Sequence, residues 1–181
     1  VIVLGGAGGV GLAAIDVATA LGARAIAAVS SPAKAEAARA AGAVEVIDYE
    51  REDLKARARE LGGGGVDVVV DPVGGAHTEP ALRALGRGGR LAVIGFAAGT
   101  IPSLPANQVL LNNRTVVGVD WGAWAMQHPD EQAMLLGEVL DRVASGALHP
   151  AAPTVRPLTE AGAVLRDLLD RRVQGKVVLA P

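Results

Sequence analysis

The sequence predicts an α/β fold: a doubly wound, six-stranded parallel sheet with strand order 3-2-1-4-5-6 and helices on both faces. Three observations carry this. Short apolar runs alternate with helix-length stretches from Val1 to Ile94, a rhythm that builds parallel sheets through right-handed crossovers. The runs are apolar at nearly every position, which suits strands covered on both faces. A glycine pattern, G-x-G-x-x-G at Gly6, Gly8 and Gly11, stands between the first such run and the first helical stretch.

The elements follow in order. Val1–Leu4 reads as a buried strand and Val10–Leu21 as a helix, with Val10, Ala13, Ala14, Val17, Ala18 and Leu21 on its inward face and Gly22 just past its end. Ala25–Val29 is the second strand. Pro32–Ala41 is helical and Gly42 ends it; Val44–Ile47 is a short third strand. Asp53–Leu61 is a helix closed by the Gly62–Gly65 run, and Val66–Val70, almost all valine, is a central strand. His77–Leu85 is helical and Arg90–Ile94 is the fifth strand. The rhythm then loosens around Pro102 and Pro105, with one short helix near Ala106–Leu111. Val116–Val119 is the sixth strand, Trp121–His128 a loop, and Pro129–Ala144 a helix with Pro at its start and Gly146 past its end. Thr159 is placed to cap a last helix whose Val164, Leu165, Leu168 and Leu169 share a face, and Lys176–Leu179 is a final short strand.

Composition narrows the function. Half of the 181 residues are hydrophobic, enough for a full core. With two Trp, one Tyr, one Phe and a net charge of -2, there is little material for a nucleic-acid surface or for an anionic membrane. No apolar run approaches membrane-spanning length. There is no cysteine, which excludes disulfides within this chain and fits a reducing cytoplasm. His77, His128 and His149 show no metal-ligand spacing and read as surface residues. The chain opens inside a strand without Met, the expected look of a piece of a longer polypeptide.

The glycine loop is the chemical centre of this reading. Gly6 is expected to turn the chain out of the strand, Gly8 to let a pyrophosphate approach bare backbone, and Gly11 to let helix and sheet pack closely. The helix then aims free N–H groups and a partial positive charge at the phosphates. No Gly-Lys-Ser/Thr follows, so this is not a mononucleotide P-loop. NAD-selective sites place a carboxylate at the end of the second strand; here that place reads VSSPAK, with Ser30 and Ser31 in place of the acid and Lys34 within reach. A missing negative charge and an added cation suit a 2′-phosphate, so NADPH is expected over NADH. Ser31 also stands where an N-cap belongs.

Four stretches, GGAGGVGLAAIDVATALGARAIAAVSSPAK, VDVVVDPVGG, GGRLAVIGFAAGTIPSLPANQVLL and QGKVVLAP, together resemble the zinc-independent quinone oxidoreductases of the medium-chain dehydrogenase/reductase superfamily. The resemblance runs along the whole chain and implies a Rossmann domain, residues 1–145, followed by a return segment, 146–181, toward a GroES-like catalytic domain outside this sequence. It implies that NADPH lies along the loop of Gly6, Ala7, Gly8, Gly9, Val10 and Gly11, with Ser30, Ser31, Lys34 and Tyr49 at the adenosine and 2′-phosphate. Asp71, Val73 and Gly74 would sit under the ribose and nicotinamide, Gly95 and Phe96 beside the nicotinamide ribose, and Asp120 and Trp121 over the carboxamide end. Lys176 would reach the cofactor or the substrate cleft. Asp71, a carboxylate at a strand end, is expected to bond backbone or ribose and not to act as an acid or base; no catalytic and no metal-binding residue is expected in this chain. The short-chain dehydrogenase pattern Tyr-x-x-x-Lys fails, since Asp53 follows Tyr49 at that spacing.

The function so implied is hydride transfer from NADPH to a quinone or an α,β-unsaturated carbonyl by the full-length protein. Two alternatives stay open: the enoyl-reductase domain of a polyketide or fatty-acid synthase, and a non-enzymatic NADPH-binding module. The Thr115–Asp120 segment would be an apolar outer strand with no lysine or proline inside it, an edge that invites pairing. The resemblance implies a homodimer through it.

Overall fold

A computed structural model describes residues 1–181. Six strands, β1 (Ile2–Leu4), β2 (Ile26–Val29), β3 (Glu45–Asp48), β4 (Val66–Asp71), β5 (Leu85–Val93) and β6 (Thr115–Gly118), form one sheet in the order β3-β2-β1-β4-β5-β6, with every pairing parallel. The expected order is the observed one. The chain starts at the centre of the sheet, winds out to β3, then crosses back to β4 and winds out to β6. The reversal between β1 and β4 leaves a crevice beyond the strands' C-terminal ends.

Alternation along the strands divides the core into two layers. Ile2 and Leu4 of β1, with Ile26 and Ala28 of β2, pack against α3 (Leu54–Leu61) and α4 (Thr78–Ala84) through Leu54, Ala58, Ala81 and Leu82. Val3, Ala27 and Val29 face the other way, onto Ile15 and Ala18 of α1 (Gly9–Ala20) and Ala35 and Ala38 of α2 (Pro32–Ala40). That second layer is rich in alanine, so its helices lie close to the sheet.

The inward face of α1 differs from the one expected. Gly11, Leu12, Ile15 and Ala18 are buried, whereas Val10, Val17 and Leu21 are exposed. The helix is apolar nearly all round, so its pattern does not select a face. The rotation is set by Gly11: a Cβ there would come within 2.2 Å of the Gly5 carbonyl oxygen and 2.8 Å of the Gly6 Cα. Only glycine lets this turn of the helix touch the loop, and that contact points Leu12 and Ile15 inward.

The start of β5 also differs. Leu85 already pairs with Val66, but the register then jumps, and regular pairing begins at Arg90, opposite Val68. The glycines of Leu85–Gly89 make the irregularity, and Gly88 donates to the Asn112 carbonyl instead of to the sheet. The residues between β5 and β6 include α5 (Ala106–Leu110). Arg114, just ahead of β6, is buried, and its guanidinium donates to the carbonyls of Gln108, Arg83 and Leu85 at 3.2, 3.3 and 2.6 Å. It joins the end of α4, the start of β5 and α5. Burial holds this guanidinium below its ordinary pKa.

Past β6 the expected loop at Trp121–His128 is a helix, α6 (Trp121–Gln127), capped by Asp120, whose Oδ1 accepts from the Ala123 N–H. An aspartate one residue before the run is the local signal for this helix. α7 (Pro129–Ala144) has the expected ends. A strand not foreseen, β7 (Thr154–Pro157), pairs in parallel with β8 (Val177–Ala180), so the last strand has a partner within the chain. Thr159 lies in a 3-10 turn and does not cap α8 (Ala161–Leu169); the residue before that helix is Glu160. Of its expected apolar face only Val164 is buried. α8 lies over the sheet's C-terminal edge rather than on a core layer, which leaves Leu165, Leu168 and Leu169 exposed. No helix is long and apolar enough to cross a membrane.

Candidate dinucleotide site

The first part of the crevice lies over the ends of β1, β2 and β4 and has a volume of about 380 Å³, within the usual size range of small-molecule sites. Its floor is the glycine loop. The sharp turn out of β1 falls at Gly5, which has φ +60°, rather than at Gly6. Gly6 continues the strand, donating to the Ala28 carbonyl at 3.1 Å, and a Cβ on it would meet the Ala27 Cβ at 2.8 Å. Gly6 is therefore a packing glycine and does not reach the crevice surface. Ala7, Gly8, Gly9, Val10 and Gly11 do line it.

The N-terminus of α1 opens into this space. Gly8 is its N-cap residue and no side chain caps the helix. No side-chain oxygen takes up the N–H groups of its first turn, and the helix dipole adds positive potential there. Gly8 is exposed, so an anion can approach its bare Cα.

Ser30 and Lys34 form the wall beyond β2. The Lys34 ammonium donates to Ser30 Oγ at 2.8 Å and makes no ion pair with any carboxylate, so its charge is uncompensated. Ser31 points elsewhere. Its Oγ accepts from the Lys34 backbone N–H at 3.4 Å, the N-cap role, and it faces a separate groove with Glu36, Arg39 and Asp48. The acid nearest the end of β3, Asp48, is engaged by the Glu50 N–H and Arg51 and stands in that same groove. Tyr49 is carried into the crevice by the bond from its N–H to the Val29 carbonyl.

Asp71 ends β4 almost fully buried. Its Oδ1 accepts from the N–H groups of Val73 and Gly74, both at 2.8 Å, and its Oδ2 accepts from Thr78 Oγ1 at 2.6 Å. The carboxylate is engaged in shaping this turn and lines neither this crevice nor the hollow at the ends of β5 and β6, so, against expectation, Asp71 does not stand at the crevice surface. Val73 reaches the crevice, whereas Gly74 is buried behind it, a Cβ's width from Phe96.

Gly95, Phe96, Asp120 and Trp121 come together in a second, open hollow at the ends of β5 and β6. Trp121 Nε1 donates to Gln132 of α7 at 3.0 Å, which fixes the indole at its rim. Lys176 is exposed and lines neither space; its carbonyl accepts from the Thr154 N–H in the β7–β8 pairing.

The tertiary structure adds residues that local pattern does not reveal. Leu168, Arg171, Val173 and Gly175 fold over the glycine loop and close one side of the crevice. The Gly175 N–H donates to the Ala7 carbonyl at 2.8 Å, and Gly175 bridges in parallel to Gly8. Arg171 brings a second cation, in a left-handed conformation with φ +56°. The QGK glycine was the visible trace of this contact. No cluster of three or more His, Cys, Asp or Glu side chains stands ready to hold a metal ion.

Comparison with known proteins agrees with this geometry. The sequence model of a family described as zinc-binding dehydrogenase matches residues 9–137. Quinone oxidoreductase-like protein 2 of Bos taurus is 40% identical over 182 residues, covering 99% of this chain and 52% of its own length. The crystal structure of an Escherichia coli quinone oxidoreductase complexed with NADPH superposes with a TM-score of 0.88 at 32% identity, over 99% of this chain and 56% of that one. A phthioceranic/hydroxyphthioceranic acid synthase of Mycobacterium tuberculosis is 33% identical over 184 residues, only 8% of its length. The chain spans about half the length of the quinone oxidoreductase-like relatives it matches.

Proposed function

The chain belongs to the zinc-binding dehydrogenase family, and from that premise we propose that it is the cofactor-binding part of an NADPH-dependent reductase acting on quinones or α,β-unsaturated carbonyls. The observation that carries this is the pairing, across one crevice, of an uncapped helix N-terminus with Ser30 and Lys34 where an NAD-selective site would hold a carboxylate. NADPH, when bound, supplies the hydride. The chain's part is to bind and orient. The first N–H groups of α1 hold the pyrophosphate. Ser30 and Lys34 hold the 2′-phosphate, with Arg171 adding positive potential. Tyr49 bounds the adenosine, Val73 lies under the ribose toward the nicotinamide, and the hollow of Gly95, Phe96, Asp120 and Trp121 takes the nicotinamide end. Residues 1–145 carry the sheet on this reading, and 146–181 return over the crevice.

The likeness to the quinone oxidoreductase-like protein of Bos taurus and the quinone oxidoreductase of Escherichia coli supports this substrate class over the acyl-thioester reduction of a synthase domain. Two further parts of the reading have other grounds: zinc independence rests on the quinone-reductase resemblance, and a cytoplasmic setting on the lack of cysteine. A homodimer through β6 is supported by the exposure of all four residues of that edge, Thr115–Gly118. Calorimetric titration with NADPH and with NADH tests the core of the proposal. Preference for NADPH is expected, shrinking about tenfold in Lys34→Ala and reversing in Lys34→Glu. Equal affinities in the unchanged chain would remove the 2′-phosphate assignment.

A further inference from the structure

Tyr49 lines two spaces. One is the dinucleotide crevice; the other is an open groove of about 480 Å³ on its far side. His77 lines only the groove. Its imidazole packs on the phenol ring with centroids 4.2 Å apart at an interplanar angle of 41°, within the range where aromatic pairs attract beyond their buried area. Tyr49 is thus a partition between the two spaces, and His77 stands behind it.

His77 is itself held in place. It directly precedes Thr78, whose hydroxyl bonds the buried Asp71 carboxylate, and Asp71 also ties down the Val73 and Gly74 N–H groups. The short 3-10 turn Gly75–His77 is therefore anchored at both ends, by Gly74 and by Thr78. The Gly75 N–H adds a bond to the Thr100 carbonyl at 2.9 Å. Tyr49 is held less fully: its backbone N–H is bonded to Val29 and its half-buried side chain packs against the core layer of α3 and α4, but it borders open space on the groove side. With His77 removed, nothing else aromatic lies against the ring, and the phenol can rotate into the groove.

We propose that His77 is a positioning residue for the dinucleotide, backing Tyr49 so that the phenol ring stays as the adenosine-side wall of the crevice. This rests on the dinucleotide reading of the crevice given above. It assigns a role to a histidine whose spacing alone marked it as an ordinary surface residue. The role is filled by a flat ring, so phenylalanine can replace histidine and alanine cannot.

Tyr49 is the one tyrosine of the chain, so incorporating 3-fluorotyrosine gives a single fluorine resonance that reports its environment. The experiment measures NADPH affinity by calorimetry and this resonance, without cofactor, in the full chain and in His77→Ala and His77→Phe. The expected result is a loss of affinity of roughly fivefold in His77→Ala, with recovery to about twofold of the original in His77→Phe. The resonance should shift or broaden in the alanine variant and return toward its first position in the phenylalanine one. Unchanged affinity in His77→Ala, or a loss that phenylalanine does not restore, would overturn the proposal. Failure of the unsubstituted chain to bind NADPH would instead overturn the dinucleotide reading, and the positioning role with it.

Discussion

Replacing Gly11 with alanine should separate helix from loop and lower both stability and cofactor affinity. The nearest atoms to the added Cβ would be the Gly5 carbonyl oxygen at 2.2 Å and the Gly6 Cα at 2.8 Å, both backbone. Ordinary contact begins near 3.4 Å, so α1 or the loop must retreat by about 1 Å. No flexible side chain can give way. Retreat also loosens Leu12, Ile15 and Ala18 against the sheet. Overpacking of this kind costs about 2–3 kcal/mol, which for a chain of this size lowers Tm by about 5–10 °C. Gly8→Ala is the control. Gly8 is exposed, has an extended backbone with φ -78°, and its added Cβ would stand 3.4 Å from the Gly5 oxygen, a distance real side chains accept. That variant should melt within about 2 °C of the parent yet lose NADPH affinity at least about tenfold, because its methyl occupies the pyrophosphate's approach. Thermal denaturation followed by circular dichroism, with calorimetry on the same samples, separates the two effects. A Gly11→Ala variant that melts with the parent would refute the close-approach argument. A Gly8→Ala variant that binds NADPH undiminished would refute the placement of the phosphates.

Other substitutions probe the supports of the crevice and the free edge. Asp71→Ala leaves two N–H groups and the Thr78 hydroxyl without their acceptor and should cost about 3 kcal/mol or more in denaturant unfolding; Asp71→Asn, which keeps one oxygen for the N–H groups and can donate to Thr78, should cost clearly less. Arg114→Lys should destabilise by about 1–2 kcal/mol, since a single ammonium cannot reach the carbonyls of Arg83, Leu85 and Gln108 together; an unchanged midpoint would show that the buried guanidinium is dispensable. Val117→Lys on the exposed β6 edge should shift a sedimentation profile from dimer toward monomer at about ten micromolar protein. A parent chain that is already monomeric there would count against the dimer.

What could be read in advance follows the range of the interactions involved. The sheet order was legible because strand–helix alternation and right-handed crossover are local rules repeated five times over. Ser30 and Lys34 were legible because they sit at a fixed distance along the chain from the glycine loop, and the crevice does bring them together with it. Ser31 was legible in its capping role, which depends only on the residue three places on. The turn was expected at Gly6 and falls at Gly5: either glycine suits it, and the choice rests on where Val73 and Ala27 lie.

By itself, then, the sequence determined the architecture, the glycine loop between β1 and α1 and the absence of a carboxylate at the end of β2, because each is encoded in neighbours along the chain. Only the tertiary structure decided the rest. The rotation of an all-apolar α1 depends on a backbone contact at Gly11. The closing of the crevice by Arg171 and Gly175 joins residues more than a hundred and fifty positions from the loop they touch. The tilted packing of His77 on Tyr49 brings together two turns at the C-terminal ends of separate strands. Such contacts leave no period in the sequence, since they depend on where separate elements come to rest once the core has packed.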